Sequence, residues 1–173
     1  LFRSPAKLSS LLVKREQKKA YSKAAFNTEV AKALDATLKA QAECGVDIAN
    51  DGEMPRVGFS TYTMERMTGF GGESRRKPAL DMIKFPKFAD FFRRQIGISD
   101  ELAKVWNAPQ AIGAIHYDDE LTDAHYEVEA IRAAIKRTGV KFKEMFMSAA
   151  SPGIVSTTML LSPKNKAYRD DRA

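Results

Sequence analysis

Residues 46–72 read VDIANDGEMPRVGFSTYTMERMTGFGG, and the apolar pattern and the turn chemistry both change within them. The apolar residues Val46, Ile48 and Ala49 follow Gly45 and precede the turn-forming residues 50–52. An apolar run of this length bounded by turn formers is typical of a buried strand. The stretch therefore predicts a strand that ends in a tight turn.

Charged residues follow this strand at once, at Asp51, Glu53 and Arg56. In parallel α/β sheets, ligands bind at the carboxyl ends of the strands. The three side chains are therefore candidate ligand-binding residues. An ordinary turn carrying a solvated Glu53–Arg56 pair would show the same pattern, so both interpretations stay open at this point.

The segment before the strand is predicted to be a long amphipathic helix from Ser22 to Cys44, with Ser22 as its N-cap and Gly45 as its stop. A helix that leads directly into a strand fits the alternation of a parallel sheet. The apolar positions at helical spacing are Phe26, Val30, Ala33, Leu34, Thr37, Leu38 and Ala42.

Two further strands are predicted at Ile112–Tyr117 and Val140–Ala150, separated by a helix at Asp118–Arg137 that Gly139 ends. After Leu161 the chain is polar and no further strand is expected. Three strands, with the remnant of another before residue 1, make half of an eight-stranded barrel. The open edges of such a half would favour association.

The remaining segments are predicted to be less regular. Residues 1–21 should form a loop and a short solvated helix, and 69–110 an irregular excursion with one or two short helices. Within the excursion, a group of phenylalanines would line either a substrate pocket or a small core beneath it. That group comprises Phe85, Phe88, Phe91 and Phe92.

Composition indicates one soluble globular domain of 173 residues, with 44% hydrophobic and 29% charged residues. The net charge of +6 permits an anionic ligand, but the basic residues are scattered and no nucleic-acid interface is expected. No apolar stretch is long enough to span a bilayer, and a cytoplasmic location is expected. The single cysteine, Cys44, is expected to be a packed hydrophobic residue.

The run DGEMPRVGFSTYTMERMTGFGG, residues 51–72, resembles the stretch after the second barrel strand in the cobalamin-independent methionine synthase family. IGAIHY at 112–117 and SAASPGIV at 148–155 are similar to the third strand and to the end of the fourth strand of that family. The opening LFRSPAKL is similar to the segment after the first strand. The resemblance implies a TIM (β/α)8 barrel, of which residues 1–173 would be the N-terminal half and a single partial domain.

The resemblance also implies a function in methionine biosynthesis: transfer of a methyl or alkyl group from a methyltetrahydrofolate-type donor to a zinc-activated thiol such as homocysteine. Zinc lowers the pKa of a bound thiol and so makes a nucleophile at neutral pH. The zinc ligands of the family come from the carboxyl-terminal half, so no metal ligand is expected in this chain. Cys44, His116 and His125 show no metal-ligand spacing.

In the family, the glutamate that matches Glu53 helps to hold the amino acid substrate. A carboxylate suits an ammonium group, and arginine suits a carboxylate, a phosphate or a folate tail. Residues at the predicted strand ends would complete the site. The candidate substrate-binding residues are Glu53, Asp51, Arg56, Arg3, His116, Tyr117 and Ser151.

Two other functions remain open. Positive charge and arginines would also suit a metal-free enzyme of the uroporphyrinogen decarboxylase type, from the same superfamily. Alternatively, the chain would be a non-catalytic, truncated homologue that acts as a binding or assembly module through its open sheet edge. The expected partners are a small-molecule thiol and a methyl donor, together with a second copy of the chain or a missing C-terminal half.

Overall fold

The computed structural model describes residues 4–16, 18–58, 62–72, 79–95, 109–117 and 119–169, which form a mixed α/β structure. In chain order the elements are α1 (Ala6–Glu16), α2 (Lys23–Glu43), β1 (Ile48–Asn50), a 3-10 turn (Thr63–Glu65), β2 (Phe70–Gly71), α3 (Leu80–Lys84), α4 (Pro86–Gln95), β3 (Gln110–Ala111), α5 (Thr122–Thr138), β4 (Glu144–Phe146) and α6 (Pro152–Thr158).

The long helix α2 forms as predicted. The Ser22 hydroxyl accepts a hydrogen bond from the Ala25 backbone N–H at 3.2 Å, which satisfies one of the free donors at the helix start. At the other end Cys44 caps the helix and Gly45 turns the chain with a φ of +75°. Cys44 is exposed at this helix end, so the expectation of a packed cysteine is wrong.

Helix α2 lies at the centre of the hydrophobic core, between α1 and α5. The expectation of a solvated first helix is wrong for one face of α1, because Leu8 and Leu12, one turn apart, are buried against α2. From the other side, Ile131 and Ala134 of α5 pack on it. Helix α5 ends at Gly139, as predicted, with a φ of +70°.

Strands β1 and β4 pair in parallel, with Ala49 opposite Met145. Ala49 is fully buried on the side of the helices, whereas Ile48 and Phe146 are about half exposed on the opposite face. The side chain of Gln41 in α2 links β1 to the helix through two hydrogen bonds. Its Nε2 group donates to the Asn50 carbonyl at 2.9 Å, and its Oε1 atom accepts from the Asn50 N–H at 3.0 Å. The two predicted strands therefore share one sheet whose second face is open, and the expectation of a buried strand is right for Ala49 and wrong for Val46 and Ile48, which are exposed.

The strand predicted at Ile112–Tyr117 does not form. Instead β3 pairs antiparallel with β2, and the backbone N–H groups of Ile112 and Gly113 both donate to the Gly69 carbonyl. Gly69 has a φ of +89°, and a side chain there would meet the Ala114 carbonyl, so this close approach depends on glycine. Because no strand forms at 112–117, β1 and β4 pair directly with each other.

The described part of the excursion contains the short helices α3 and α4, as predicted. Phe85, Phe88 and Phe91 are 61%, 42% and 58% exposed, so they form no small core, and Phe85 and Phe88 line an open, apolar surface cavity of about 630 Å³. Phe88 contacts Phe92 with ring centroids 5.8 Å apart. No helix among the described residues is long and apolar enough to cross a membrane.

The packing of α2 predicts that a leucine buried in this helix contributes far more to stability than an exposed leucine elsewhere. Leu38 is fully buried, and Leu38→Ala should lower the free energy of unfolding by about 2–5 kcal/mol through lost burial and a cavity. Leu80 is 63% exposed, so Leu80→Ala should change it by no more than about 0.5 kcal/mol. Urea denaturation of both variants measures this difference. Equal losses would contradict the central position of α2.

Candidate functional site

The turn after β1 is held by the side chains of the last strand residue and of the residue that follows it. Asn50 Oδ1 accepts from the Gly52 N–H at 2.7 Å, and Asp51 Oδ1 accepts from the Glu53 N–H at 3.0 Å. Gly52 and Glu53 both have positive φ angles, of +60° and +58°. A side chain at Gly52 would lie 2.7 Å from a methyl group of Thr37 in α2, so only glycine fits there.

Four buried charges lie against this turn, and we call them the charge cluster: Asp51, Arg56, Arg66 and Glu127. Asp51 forms an ion pair with Arg56, and the Arg56 Nη1 atom lies 3.4 Å from Glu127 Oε2. The other carboxylate oxygen of Glu127 pairs with Arg66. Each side chain is 10% exposed or less. Two positive and two negative charges therefore balance within the protein interior.

Tyr62 lies between the two guanidinium groups of the charge cluster. Its ring centroid is 5.4 Å from Arg56 Cζ and 4.6 Å from Arg66 Cζ, within the range of cation–π attraction. Arg56 Nη1 also reaches the Ser148 carbonyl at 3.5 Å, just after β4. The cluster consequently joins the carboxyl ends of β1 and β4 to helix α5.

The electrostatics of Arg66 show how well these charges are compensated. Burial alone would lower the pKa of Arg66, but its hydrogen bond and charge interaction with Glu127 outweigh that effect and the pKa is raised. Tyr62 and a side-chain hydrogen bond to Tyr117 act in the same direction. Arg66 is therefore a fixed cation within the cluster.

Glu53 differs from the other acidic residues of the site. It is partly buried, and its carboxylate forms no hydrogen bond or ion pair with any residue that the structure describes. Burial raises the pKa of the Glu53 carboxyl, Arg56 opposes this rise and Asp51 adds to it. The charge cluster is neutral by itself. Glu53 therefore adds one negative charge, without a paired cation among the described residues, at the carboxyl end of β1.

The structure brings together part of the set of residues predicted from the sequence. Asp51, Glu53 and Arg56 share the turn after β1, and Tyr117, 45% exposed, reaches the cluster through Arg66. His116 is exposed. The Ser151 hydroxyl caps α6 by accepting from the Ile154 N–H at 3.2 Å. Arg3 lies outside the described residues.

Three members of the site were not singled out by the sequence: Tyr62, Arg66 and Glu127. For Glu127 a signal exists, because it lies three residues after Ala124 and four before Ile131, on the apolar stripe of the predicted helix. An acidic residue on a packed face requires a buried partner. The sequence does not identify that partner as Arg56, 71 residues away.

Two cavities adjoin this region. One of about 390 Å³ is lined by Arg66 and Glu127 of the charge cluster, together with aromatic side chains such as Tyr126. The other, of about 270 Å³, is mostly apolar and includes Ala150 and Pro152, which follow β4. Glu53 lines neither of these two cavities.

The described residues do not fit a zinc site. Among them, no group of three or more histidine, cysteine, aspartate or glutamate side chains is placed to hold a metal ion.

Fold and site together define, for the residues that the structure describes, a mixed α/β protein with a neutral charge cluster and with the unpaired carboxylate of Glu53 after β1. Comparison with protein-family models, with curated proteins and with solved structures yields no match.

The charge cluster predicts a large difference between two arginines. Arg56→Met leaves Asp51 buried without its partner and should lower the free energy of unfolding by about 3–5 kcal/mol. Arg132 forms an exposed pair with Glu129, so Arg132→Met should cost at most about 1 kcal/mol. Chemical denaturation measures both.

A double variant separates charge from packing. Asp51→Asn combined with Arg56→Met removes both charges of the pair and should recover part of the lost stability, since no unpaired ion remains at that position. A double variant less stable than Arg56→Met alone would contradict the assignment of an ion pair.

Proposed function

We propose that this chain supplies the amino-acid-binding edge of a methyl- or alkyltransferase that resembles the cobalamin-independent methionine synthases. Its substrate would be a small thiol amino acid such as homocysteine, and the donor would be of the methyltetrahydrofolate type. The observation that carries the proposal is the partly buried, unpaired carboxylate of Glu53 at the carboxyl end of β1.

The charge balance favours an ammonium group as the ligand of Glu53. Asp51, Arg56, Arg66 and Glu127 neutralise one another, which leaves Glu53 as the surplus charge. A partly desolvated carboxylate forms stronger hydrogen bonds to a cation than an exposed one does. An α-ammonium group would supply the opposite charge and the donors that the described residues do not.

The parallel pairing of β1 and β4 supports the half-barrel proposal, whereas their direct contact departs from it, because a barrel would place the strand expected at 112–117 between them. The strands are parallel, and α2 and α5 cover one face of their sheet. Parallel sheets are normally covered on both faces, and the uncovered face bears Ile48 and Phe146. In the proposed barrel this face would point to the interior. A missing half or a second copy would then complete it.

Zinc stays part of the proposal through the resemblance alone, and the residues that hold it would have to lie outside the described part of this chain. The role of the described residues is narrower: Glu53 binds the ammonium group, and the charge cluster keeps the turn in place. Arg56 and Arg66 are already paired with carboxylates, which disfavours the decarboxylase alternative. The open sheet face favours an assembly module as the second candidate function.

Two ligands that differ only in the ammonium group test the proposal. L-Homocysteine carries this group and 4-mercaptobutanoate does not. Glu53→Gln keeps the shape but removes the charge, so it should weaken L-homocysteine binding by about 10-fold to 100-fold, the effect of one charged hydrogen bond. Binding of 4-mercaptobutanoate should not change. Isothermal titration calorimetry on the intact protein measures both affinities.

Glu43→Gln is the matched control, because Glu43 is an exposed glutamate at the end of α2. It should leave the affinities for both ligands unchanged. If Glu53→Gln bound L-homocysteine as tightly as the unsubstituted protein, Glu53 would be only a turn residue and the proposed function would be wrong.

A further inference from the structure

Glu127 occupies an unusual position for an acidic side chain. It is 6% exposed on the packed face of α5, among residues such as Ile131 that contribute to the hydrophobic core. Burying a carboxylate is costly unless it is paired. Glu127 is paired twice, because one oxygen meets Arg56 and the other meets Arg66.

The contacts of Arg56 continue from Glu127 to the backbone of Glu53. Arg56 pairs with Asp51, whose second carboxylate oxygen accepts from the Glu53 N–H at 3.0 Å. The backbone N–H of Arg56 donates to the Glu53 carbonyl at 3.2 Å. Both backbone polar groups of Glu53 are therefore held by Asp51 and Arg56.

Glu53 needs this support because of its backbone conformation. Its φ of +58° lies in the left-handed region, which is unfavourable for a residue with a side chain. Such conformations persist where the surrounding structure enforces them. Here the enforcing contacts end at Glu127, on a helix 71 residues away from Arg56 in sequence.

We propose that Glu127 is a positioning residue for the ammonium-binding site: by holding the Arg56 guanidinium group it holds Asp51, and through Asp51 the backbone of Glu53 that carries the carboxylate. This proposal rests on the proposed function, since it assigns the residue that gives Glu53 its geometry. Glu127 itself does not touch the substrate. Its effect is limited to the part of the ligand that Glu53 binds.

A positioning role of Glu127 and a merely structural role predict different effects on the binding of the two ligands. Loss of positioning weakens binding of L-homocysteine and spares 4-mercaptobutanoate, which has no ammonium group. General loosening of the fold would weaken both ligands together. The affinity for L-homocysteine divided by the affinity for 4-mercaptobutanoate therefore distinguishes the two roles, and we call it the affinity ratio.

Glu127→Gln should reduce this ratio by about tenfold, comparable to the loss of one charged hydrogen bond. Glu129→Gln is the matched control, because Glu129 lies on the same helix and is 68% exposed. It should leave the ratio unchanged. A folded Glu127→Gln variant with an unchanged ratio would overturn the proposal.

A second variant applies if the single substitution unfolds the protein. Glu127→Gln with Arg66→Gln removes one charge of each sign, so Asp51 and Arg56 remain as a balanced pair. Because Arg56 still lacks Glu127, the double variant should show the same tenfold loss of ratio. Recovery of the original ratio would mean that only charge balance matters, and would overturn the proposal.

The unsubstituted protein gives an independent measurement. The Arg56 Nε atom is buried and has no hydrogen-bond partner among the described residues, so its N–H resonance is sensitive to changes around the guanidinium group. L-Homocysteine should shift this resonance in a ¹⁵N NMR titration, and 4-mercaptobutanoate should not. The proposal would be overturned if L-homocysteine bound without moving it.

The two proposals fail in different ways. If Glu53→Gln leaves the affinity ratio unchanged, the proposed function is wrong. If Glu53→Gln lowers the ratio and Glu127→Gln does not, the function stands and only the positioning role of Glu127 is wrong.

Discussion

The buried ion pair between Asp51 and Arg56 is the interaction on which the site depends. Asp51 caps the backbone of Glu53, while Arg56 reaches Glu127 on α5 and the Ser148 carbonyl after β4. A buried pair is weak evidence for stability, because desolvation offsets most of the attraction. Its value here is geometric: it fixes one turn relative to a strand and a helix that are distant in sequence. The carboxylate of Glu53 takes no part in these pairs and stays unpaired among the described residues.

The parts of the fold that local signals encode could be predicted from the sequence. Helix α2 follows from its apolar spacing and from Ser22 and Gly45 at its ends, and α5 from its own stripe and Gly139. Strand β1 follows from an apolar run before turn formers. The strand expected at Ile112–Tyr117 failed because the backbone there bonds to Gly69, a nonlocal contact for which the apolar pattern holds no signal.

The candidate site, too, could be predicted only in part from the sequence. Its location after β1 could be predicted, because turn formers and charged residues follow an apolar run directly. The pairing of Arg56 with Asp51 and Glu127 could not, since hydrogen-bond partners far apart in the chain leave no periodic pattern. Among these pairings, only that of Glu127 was indicated by the sequence, because an acidic residue on an apolar helix face requires a buried partner. The sequence therefore locates the turn, and the structure identifies which of its charges is left unpaired.

The most direct test of this account is the pKa of the Glu53 carboxyl, measured by ¹³C NMR titration of its side chain with and without L-homocysteine. In the free protein it should lie above the ordinary glutamate value, because burial favours the neutral form. Saturating L-homocysteine should lower it, since an ammonium group stabilises the carboxylate. A Glu53 pKa at or below the ordinary value, unchanged by L-homocysteine, would contradict the claim that this carboxylate is held unpaired for a cationic ligand.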